Sequence, residues 1–554
     1  MKKTLVISSA MLALVFGAAC NNDFLDRLPQ DRLSEATFFK NENDLRIYAN
    51  RFYTIIPAQG HTSDNNSDNF VPRDRTPLLA GTYTVPNTGG GWTWNNEREA
   101  NFFLMRYERA DAAPAVKAKY AGEVRLFRAY MWWRKVVQFG DVVWFGKDLN
   151  ENSPELFAAR TPRATVMDTV LNDLNYAVAN LPVPASAEQD RVNKDIANAI
   201  KSRICLWEGT YRKYRGLPGA ETYLREAATA AEAVMNSGNY AIYTTGAPTR
   251  DYVNLFIQEE LRGNKEAVMA RRYVKDQSMH NATRQISDVW PSYSKDFVES
   301  ILCADGLPIS LSPLYQGDDT PEKERTNRDP RYSQLIVTRD YVVTQNADGS
   351  ADKITLPRIP AVLTGYASAK YKSPDPVQWV ANQSTLDLFI VRYAEILLNF
   401  VEAKAELGEA SQAVVNQTIN KIRDRVGMPH MIIAALIKDP ASTFPTVPVL
   451  IDEIRRERRI ELAQDGFRFD DIIRWKAGEL INNAKTIVGM KLTPALRAQY
   501  PASQVAGIQV DANDRIRVYT DITTRVWNDR MYLFPLPLQE MNLNPQLKPQ
   551  NPGW

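Results

Sequence analysis

Residues 451–478 read IDEIRRERRIELAQDGFRFDDIIRWKAG. Arginines and carboxylates crowd around a thin apolar stripe that ends in Phe467, Phe469, Ile472, Ile473 and Trp475. Glu453, Glu457 and Glu461 recur every four residues, so a helix lines their carboxylates along one face. Arg456 follows Glu453 by three positions and Arg458 precedes Glu461 by three. Such carboxylates could supply an enzyme's acid and base. Matched so closely by arginines, they are instead expected to stay ionised and to serve as structural ion pairs. The stretch is read as architecture, and the architecture is helical.

Helical stripes lie on its N-terminal side. Val391, Ala394, Leu398, Val401 and Ala405 form one, Gly408 breaks it, and Val415, Ile419, Ile422 and Val426 form the next. This helix–turn–helix unit has about the length of a tetratricopeptide repeat, although the strict repeat consensus is absent. Further upstream, residues 98–240 carry Leu126, Tyr130, Trp133 and Val137, then Ala197, Ile200, Ile204 and Trp207, then Leu224, Ala227, Ala231 and Val234. Each set has helical spacing, and the alanines let neighbouring helices approach closely. Near the start, Leu45, Tyr48 and Phe52 also keep helical spacing. Trp132, Trp133, Trp207 and Trp475 fall in these stripes and are read as core.

Between the helical regions, periodicity fades. Residues 241–384 gain Pro and Gly, with short β-prone pieces (QLIVT, DYVVTQ) around the turn NADG. The segment after 480 is loop-rich. The predicted fold is mainly α: tetratricopeptide-like helix pairs over about 30–240 and 385–480, an irregular insertion at 241–384, and a tail at 481–554, all in one domain from residue 20.

Residues 1–19 have the form of a secretory signal: Lys2 and Lys3, an apolar run, and Gly17-Ala18-Ala19 leading into Cys20. A cysteine there resembles a bacterial lipobox, which makes Cys20 the lipidated N-terminus. Without residues 1–19 the chain has 65 basic and 65 acidic residues. Its densest basic run, Arg455–Arg459, is interrupted by glutamate, so nucleic acid is not an expected partner. Of the three cysteines, Cys205 sits in a helical stripe as a small buried hydrophobe, and spacing does not decide whether it pairs with Cys303.

Several motifs, in order, resemble the SusD/RagB family of surface-exposed outer-membrane lipoproteins. They are Asp23-Phe24-Leu25-Asp26; Trp94 with Asn101; Glu123, Arg125 and Arg128-Ala129-Tyr130 before Phe139-Gly140-Asp141-Val142; Asp305-Gly306-Leu307-Pro308; Arg328-Asp329-Pro330-Arg331; and Arg392-Tyr393-Ala394-Glu395. The opening stretch adds Glu457-Arg458, Gly466-Phe467-Arg468 and Arg474-Trp475, and the chain closes with Phe534-Pro535-Leu536-Pro537 and Asn551-Pro552-Gly553-Trp554. The resemblance covers nearly the whole chain after Cys20. It implies a scaffold of four tetratricopeptide-like helix pairs, a ligand site borne by irregular segments, and a role without catalysis. That role is to capture a nutrient, usually a glycan, at the cell surface and to act as a lid on a SusC-like TonB-dependent transporter. Capture of peptides or glycopeptides is the alternative within the same scaffold.

The residues themselves offer little catalytic machinery. His61, His280 and His430 lie in no metal-ligand spacing, GxSxG is absent, and the glycines of TGGGWTW lack the Lys-Ser/Thr of a phosphate loop. A glycan hydrolase needs only two carboxylates and stays open as the less favoured reading. No metal or cofactor is expected. A sugar site needs aromatic rings to stack on the C–H face of a pyranose, and amides, carboxylates and guanidiniums to bond its hydroxyls. The candidates are Arg73, Arg75, Trp92, Trp94 and Asn95 in the loop before the first scaffold helices, then Trp290 and Tyr293 at the start of the insertion. Tyr315, Tyr366 and Trp379 follow. The resemblance favours the first two regions, because family sites draw on them.

Overall fold

The computed structural model describes residues 38–60, 64–284 and 292–554. The chain enters through α1 (Glu42–Asn50), whose N-cap Asn41 accepts from the Asp44 amide and whose Leu45 and Tyr48 are buried. Phe52 follows in a 3₁₀ turn. Then come α2 (Asn95–Leu104), α3 (Pro114–Phe139), α4 (Arg163–Asn180), α5 (Lys194–Lys213) and α6 (Ala220–Asn236). Proline opens α3, where its missing N–H costs nothing, and Gly140 closes it at φ 74°. Asn193 caps α5 by accepting from two amides.

Consecutive helices pack in pairs, α3 on α4 and α5 on α6, and α4 joins the pairs by packing on α5. At Gly209 of α5 an added Cβ would lie 2.8 Å from the Leu224 side chain of α6, which is why the pair sits so close. α7 (Tyr393–Glu406) packs on α5, α6 and α10 (Val449–Glu461). The predicted helix through Val415 and Val426 is divided at Thr418 (φ −126°, ψ −90°) into α8 (Gln412–Gln417) and α9 (Ile419–Val426). Thr418 Oγ1 donates to the Val414 carbonyl at 2.6 Å there. α11 (Arg468–Arg474) ends the scaffold and packs on α5. Trp132, Trp133, Trp207 and Trp475 are all buried.

Sheet is scarce. β1 (Ala267–Arg271) pairs antiparallel with β4 (Leu388–Arg392), in the register Ala267↔Arg392 and Arg271↔Leu388. β4 is buried throughout and runs directly into α7. β2 (Val342–Gln345) and β3 (Ala351–Lys353) form a hairpin around NADG, and β5 (Val488–Lys491) pairs with β6 (Arg515–Arg517). A second apolar cluster forms around Tyr252, Phe256, Tyr293, Phe297 and Tyr371, and it draws in Phe70 and Met490. The tail folds back on α3. The Phe534 amide donates to the Gln138 carbonyl at 2.7 Å, Asn551 Nδ2 donates to the Phe139 carbonyl at 2.9 Å, and Trp554 Nε1 donates to the Leu533 carbonyl at 2.8 Å. Cys205 and Cys303 are both buried free thiols.

The charged stretch becomes α10 and α11, and it is buried. Glu457 and Glu461 have no exposed side chain. Most of their partners come from elsewhere in the chain. Glu457 takes Arg331 (2.7 Å) and Arg423 (2.9 Å), and Glu461 takes Arg392 and Arg425 (2.5 Å each) and Arg331 (3.2 Å). Arg456 pairs with Glu453 as spaced, whereas Arg458 turns to Asp471 at 3.0 Å instead of Glu461. Burial alone would raise the Glu461 carboxyl. The fields of Arg425, Arg392 and Arg331 overcome it and hold the group at about 2.

Candidate functional site

The site begins with a glycine turn. Gly89, Gly90 and Gly91 all have positive φ (72°, 58° and 91°), a run that side-chain-bearing residues do not adopt. Two residues of α3 hold it: Gln138 Nε2 donates to the Gly90 carbonyl at 2.8 Å, and Lys135 Nζ donates to the carbonyls of Gly91 (2.7 Å) and Thr93 (2.5 Å). A Cβ on Gly91 would stand 2.6 Å from Gln138 Oε1. Trp92 and Trp94 leave the turn two residues apart and differ in burial. Trp92 is buried, edge-on to Phe139 at 5.0 Å and to Trp94 at 5.0 Å. Trp94 is half-buried at the N-cap of α2 and leans on Trp132 at 5.1 Å.

Trp94 lines a cavity of about 600 Å³ between the start of α2 and the loop that follows α3. Trp94, Trp132, Phe145 and Leu149 give it an apolar floor, while Asn95, Arg98, Lys147, Asn150 and Asn152 bring polar groups to its rim. Asn101 fixes the two walls together: its Nδ2 donates to the carbonyls of Phe145 (2.6 Å) and Lys147 (3.1 Å), and its Oδ1 accepts from Arg128 at 2.9 Å. Beneath the rim, Glu97 and Lys135 face each other at 3.7 Å. Burial raises the Glu97 carboxyl and lowers the Lys135 ammonium, in each case against the pull of the partner. The ammonium also lies 5.0 Å from the centre of the Trp94 ring, a cation–π contact that steadies it.

Among the predicted site residues, this cavity unites Trp94 and Asn95. Trp92 and Tyr293, read as ligand contacts, are buried in the apolar core. Tyr293 stacks on Phe297 at 4.5 Å, meets Phe70 edge-on at 4.7 Å, and has no exposed surface. Tyr366 is likewise enclosed, its hydroxyl donating to Glu324 at 2.8 Å. Arg73 is exposed, and Arg75 pairs with Asp521 at 2.7 Å beside the Tyr519 ring. Tyr315 lies near Arg328, and Trp379 donates from Nε1 to the Ser373 carbonyl at 2.7 Å. None of these four lines the cavity. The two regions ranked first do meet in the backbone: the Val71 amide donates to the Ser292 carbonyl and the Ser294 amide to the Asn69 carbonyl. Trp290, His61 and Cys20 fall outside the described residues.

Sequence reasoning missed the far wall, residues 145–156. Its signal was the run Lys147-Asp148-Leu149-Asn150-Glu151-Asn152-Ser153-Pro154, a turn-forming composition next to two aromatics. Among the described residues, no helix is long and apolar enough to cross a membrane, and no group of three or more His, Cys, Asp or Glu is placed to hold a metal ion.

The family model described as the SusD family matches residues 265–554, more than half of the chain. The chain belongs to the SusD family. A SusD-like protein of Bacteroides ovatus is 24% identical over 500 residues, covering 85% of this chain and 82% of that one. SusD-like protein P2 of Formosa agariphila is 23% identical over 597 residues, spanning the full length of both. Among solved structures, a SusD-like carbohydrate binding protein of Bacteroides fragilis superposes with a TM-score of 0.72 at 22% identity, covering 92% of this chain and all of that one. That likeness confirms the SusD-like fold, with its tetratricopeptide-like helical scaffold, that the motifs implied.

Proposed function

We propose that this SusD-family protein captures a glycan at the cell surface, without cleaving it, and delivers it to a SusC-like TonB-dependent outer-membrane transporter. The cavity at Trp94 carries the reading. Its floor offers aromatic faces to the apolar side of a sugar ring, and its rim offers Asn95, Asn150, Asn152 and Arg98 to ring hydroxyls. A volume of about 600 Å³ admits a short stretch of an oligosaccharide, in the size range of ligand sites generally. Two solved relatives support the ligand class by their descriptions, one as carbohydrate binding and one as laminarin binding. Arg73, Arg75 and Trp290 are proposed as further ligand contacts. In this reading Cys20 carries the lipid that anchors the chain in the outer membrane, and more than one acyl chain there gives stable attachment.

The test is a binding screen of the chain from residue 21 onward against soluble polysaccharides and peptide digests, with product analysis of every hit. Saturable binding to one glycan class without cleavage is expected. Binding confined to peptides moves the ligand class to the alternative, and cleavage of a bound glycan overturns the capture role.

A further inference from the structure

Glu97 is a buried carboxylate with few donors around it. It lies in the first turn of α2, where a negative charge suits the positive end of the helix. Its side chain is 7% exposed, and it lines the cavity at Trp94. Among the described residues its ion-pair partner is Lys135, whose Nζ stands 3.7 Å from Oε1, beyond hydrogen-bond length. That ammonium is held instead by the Gly91 and Thr93 carbonyls, at 2.7 and 2.5 Å.

Other buried carboxylates of the scaffold are treated differently. Glu123 of α3 accepts from Arg191 at 2.5 Å, and Asp173 of α4 accepts from Arg128 at 2.7 Å. A carboxylate taken from water without such donors is costly, so a group that supplies them gains more here than at the surface. The cations on the cavity walls are engaged elsewhere: Arg98 pairs with Asp148 at 3.2 Å, and Lys147 with Glu155 at 2.5 Å. A second carboxylate, Glu151, stands exposed on the same walls.

We propose that Glu97 is a ligand-binding residue that accepts hydrogen bonds from the hydroxyls of a sugar seated against Trp94, and that it makes the cavity select neutral saccharides over uronic or sulfated ones. The proposal rests on the glycan-capture reading above. A hydroxyl donating to an ionised oxygen makes a stronger bond than one donating to an amide. An acidic group brought to the same place meets a like charge in a poorly solvated site, with the nearby cations already paired, so the residue that holds one class repels the other.

Calorimetric titration of the chain from residue 21 onward tests it. The neutral probes are laminarin, soluble starch, arabinoxylan and galactomannan; the acidic ones are polygalacturonate, alginate and chondroitin sulfate. A neutral probe is expected to bind and the acidic ones to fail. Glu97→Leu, of similar size but without an acceptor, is expected to weaken the neutral probe about tenfold. Glu97→Gln keeps an acceptor and is expected to weaken it about threefold. It is also expected to narrow the gap between neutral and acidic probes, a change that a merely structural carboxylate would not produce. Should Glu97→Leu fail to fold, the Gln variant decides alone. If no probe binds, or if binding survives Trp94→Ala, the capture reading at this cavity falls and this inference with it. Binding that Trp94→Ala abolishes but the Glu97 variants leave unchanged, or an acidic probe that binds as tightly as the neutral ones, overturns the role of Glu97 while the capture reading stands.

Discussion

Arg392, the last residue of β4, places Nη1 2.5 Å from Oε1 of Glu461, the last residue of α10. The same guanidinium reaches Glu266 at 2.9 Å and Asp465 at 2.7 Å, and all four side chains are fully buried. One contact thus joins the strand pair, the helix that carries the opening motif, and the turn that follows it. Charges so deep are held only because every one has partners, and a single deletion strands the others.

Glu461→Gln is therefore expected to cost about 3–5 kcal/mol, because it leaves the Arg392, Arg425 and Arg331 cluster short of one negative charge. Urea unfolding gives the value. Combined with Arg392→Met, the loss is expected to fall short of the sum of the singles by about 0.5–3 kcal/mol. Strict additivity would show that the two side chains do not act as a unit.

Acid should dissolve the same network. Burial opposes ionisation of Glu461, Glu402 and Asp68, but their arginines hold each at about 2. Their folded values lie below the unfolded ones, so the stability they contribute is complete above about pH 4.5 and is lost as pH falls towards 2. The urea midpoint measured across that window is expected to drop steeply. A midpoint flat from pH 5 to 2.5 would contradict the ionised network.

Asp64 has the opposite sign. Burial raises its carboxyl to about 6, against hydrogen bonds from Asn69 and the Gln464 amide, with Asp465 nearby adding to the rise. The folded state then binds the proton more tightly than the unfolded state, so stability falls as pH rises from about 4 to 6. Asp64→Asn keeps an acceptor for the Gln464 amide and is expected to remove this slope. Parallel pH–stability curves for the two proteins would refute the assignment.

The helix stripes were legible because their period is local: Ala197, Ile200, Ile204 and Trp207 are all buried on one face of α5. That Glu453, Glu457 and Glu461 are structural was legible too, from arginine matching. Their true partners were not, since Arg331, Arg392, Arg423 and Arg425 lie 34 to 130 residues away in sequence. Tyr293 read as a loop aromatic for the same reason. Its burial depends on Phe70 and Phe297 and on the bridge between residues 70 and 293, a pairing that no local pattern announces. The far wall of the cavity was hidden because turn composition says where a chain bends, not what it faces.

Gly91→Ala tests the turn that sets both tryptophans. A Cβ there meets Gln138 Oε1 at 2.6 Å and must sit at φ 91°, so the hydrogen bond from Gln138 to Gly90 has to break. The variant is expected to lose about 1–3 kcal/mol of stability, as residues forced into unfavourable backbone regions do, and to weaken glycan binding by displacing Trp94. A gain in stability would mean that the turn is not held as described.

Trp92 and Trp94 make the sharpest pair, because the two rings touch and yet face different environments. Trp92→Ala empties a buried position beside Phe139 and is expected to cost about 3–5 kcal/mol of stability. Trp94→Ala removes the half-exposed floor of the cavity, so it should weaken binding of the polysaccharide found in the screen at least tenfold, about 1.4 kcal/mol, with a smaller loss of stability. Calorimetric titration and urea unfolding on both variants separate the two effects. If Trp92→Ala costs the affinity and Trp94→Ala only the stability, the cavity is not the sugar site, and the exposed surface at Arg73 and Arg75 takes its place.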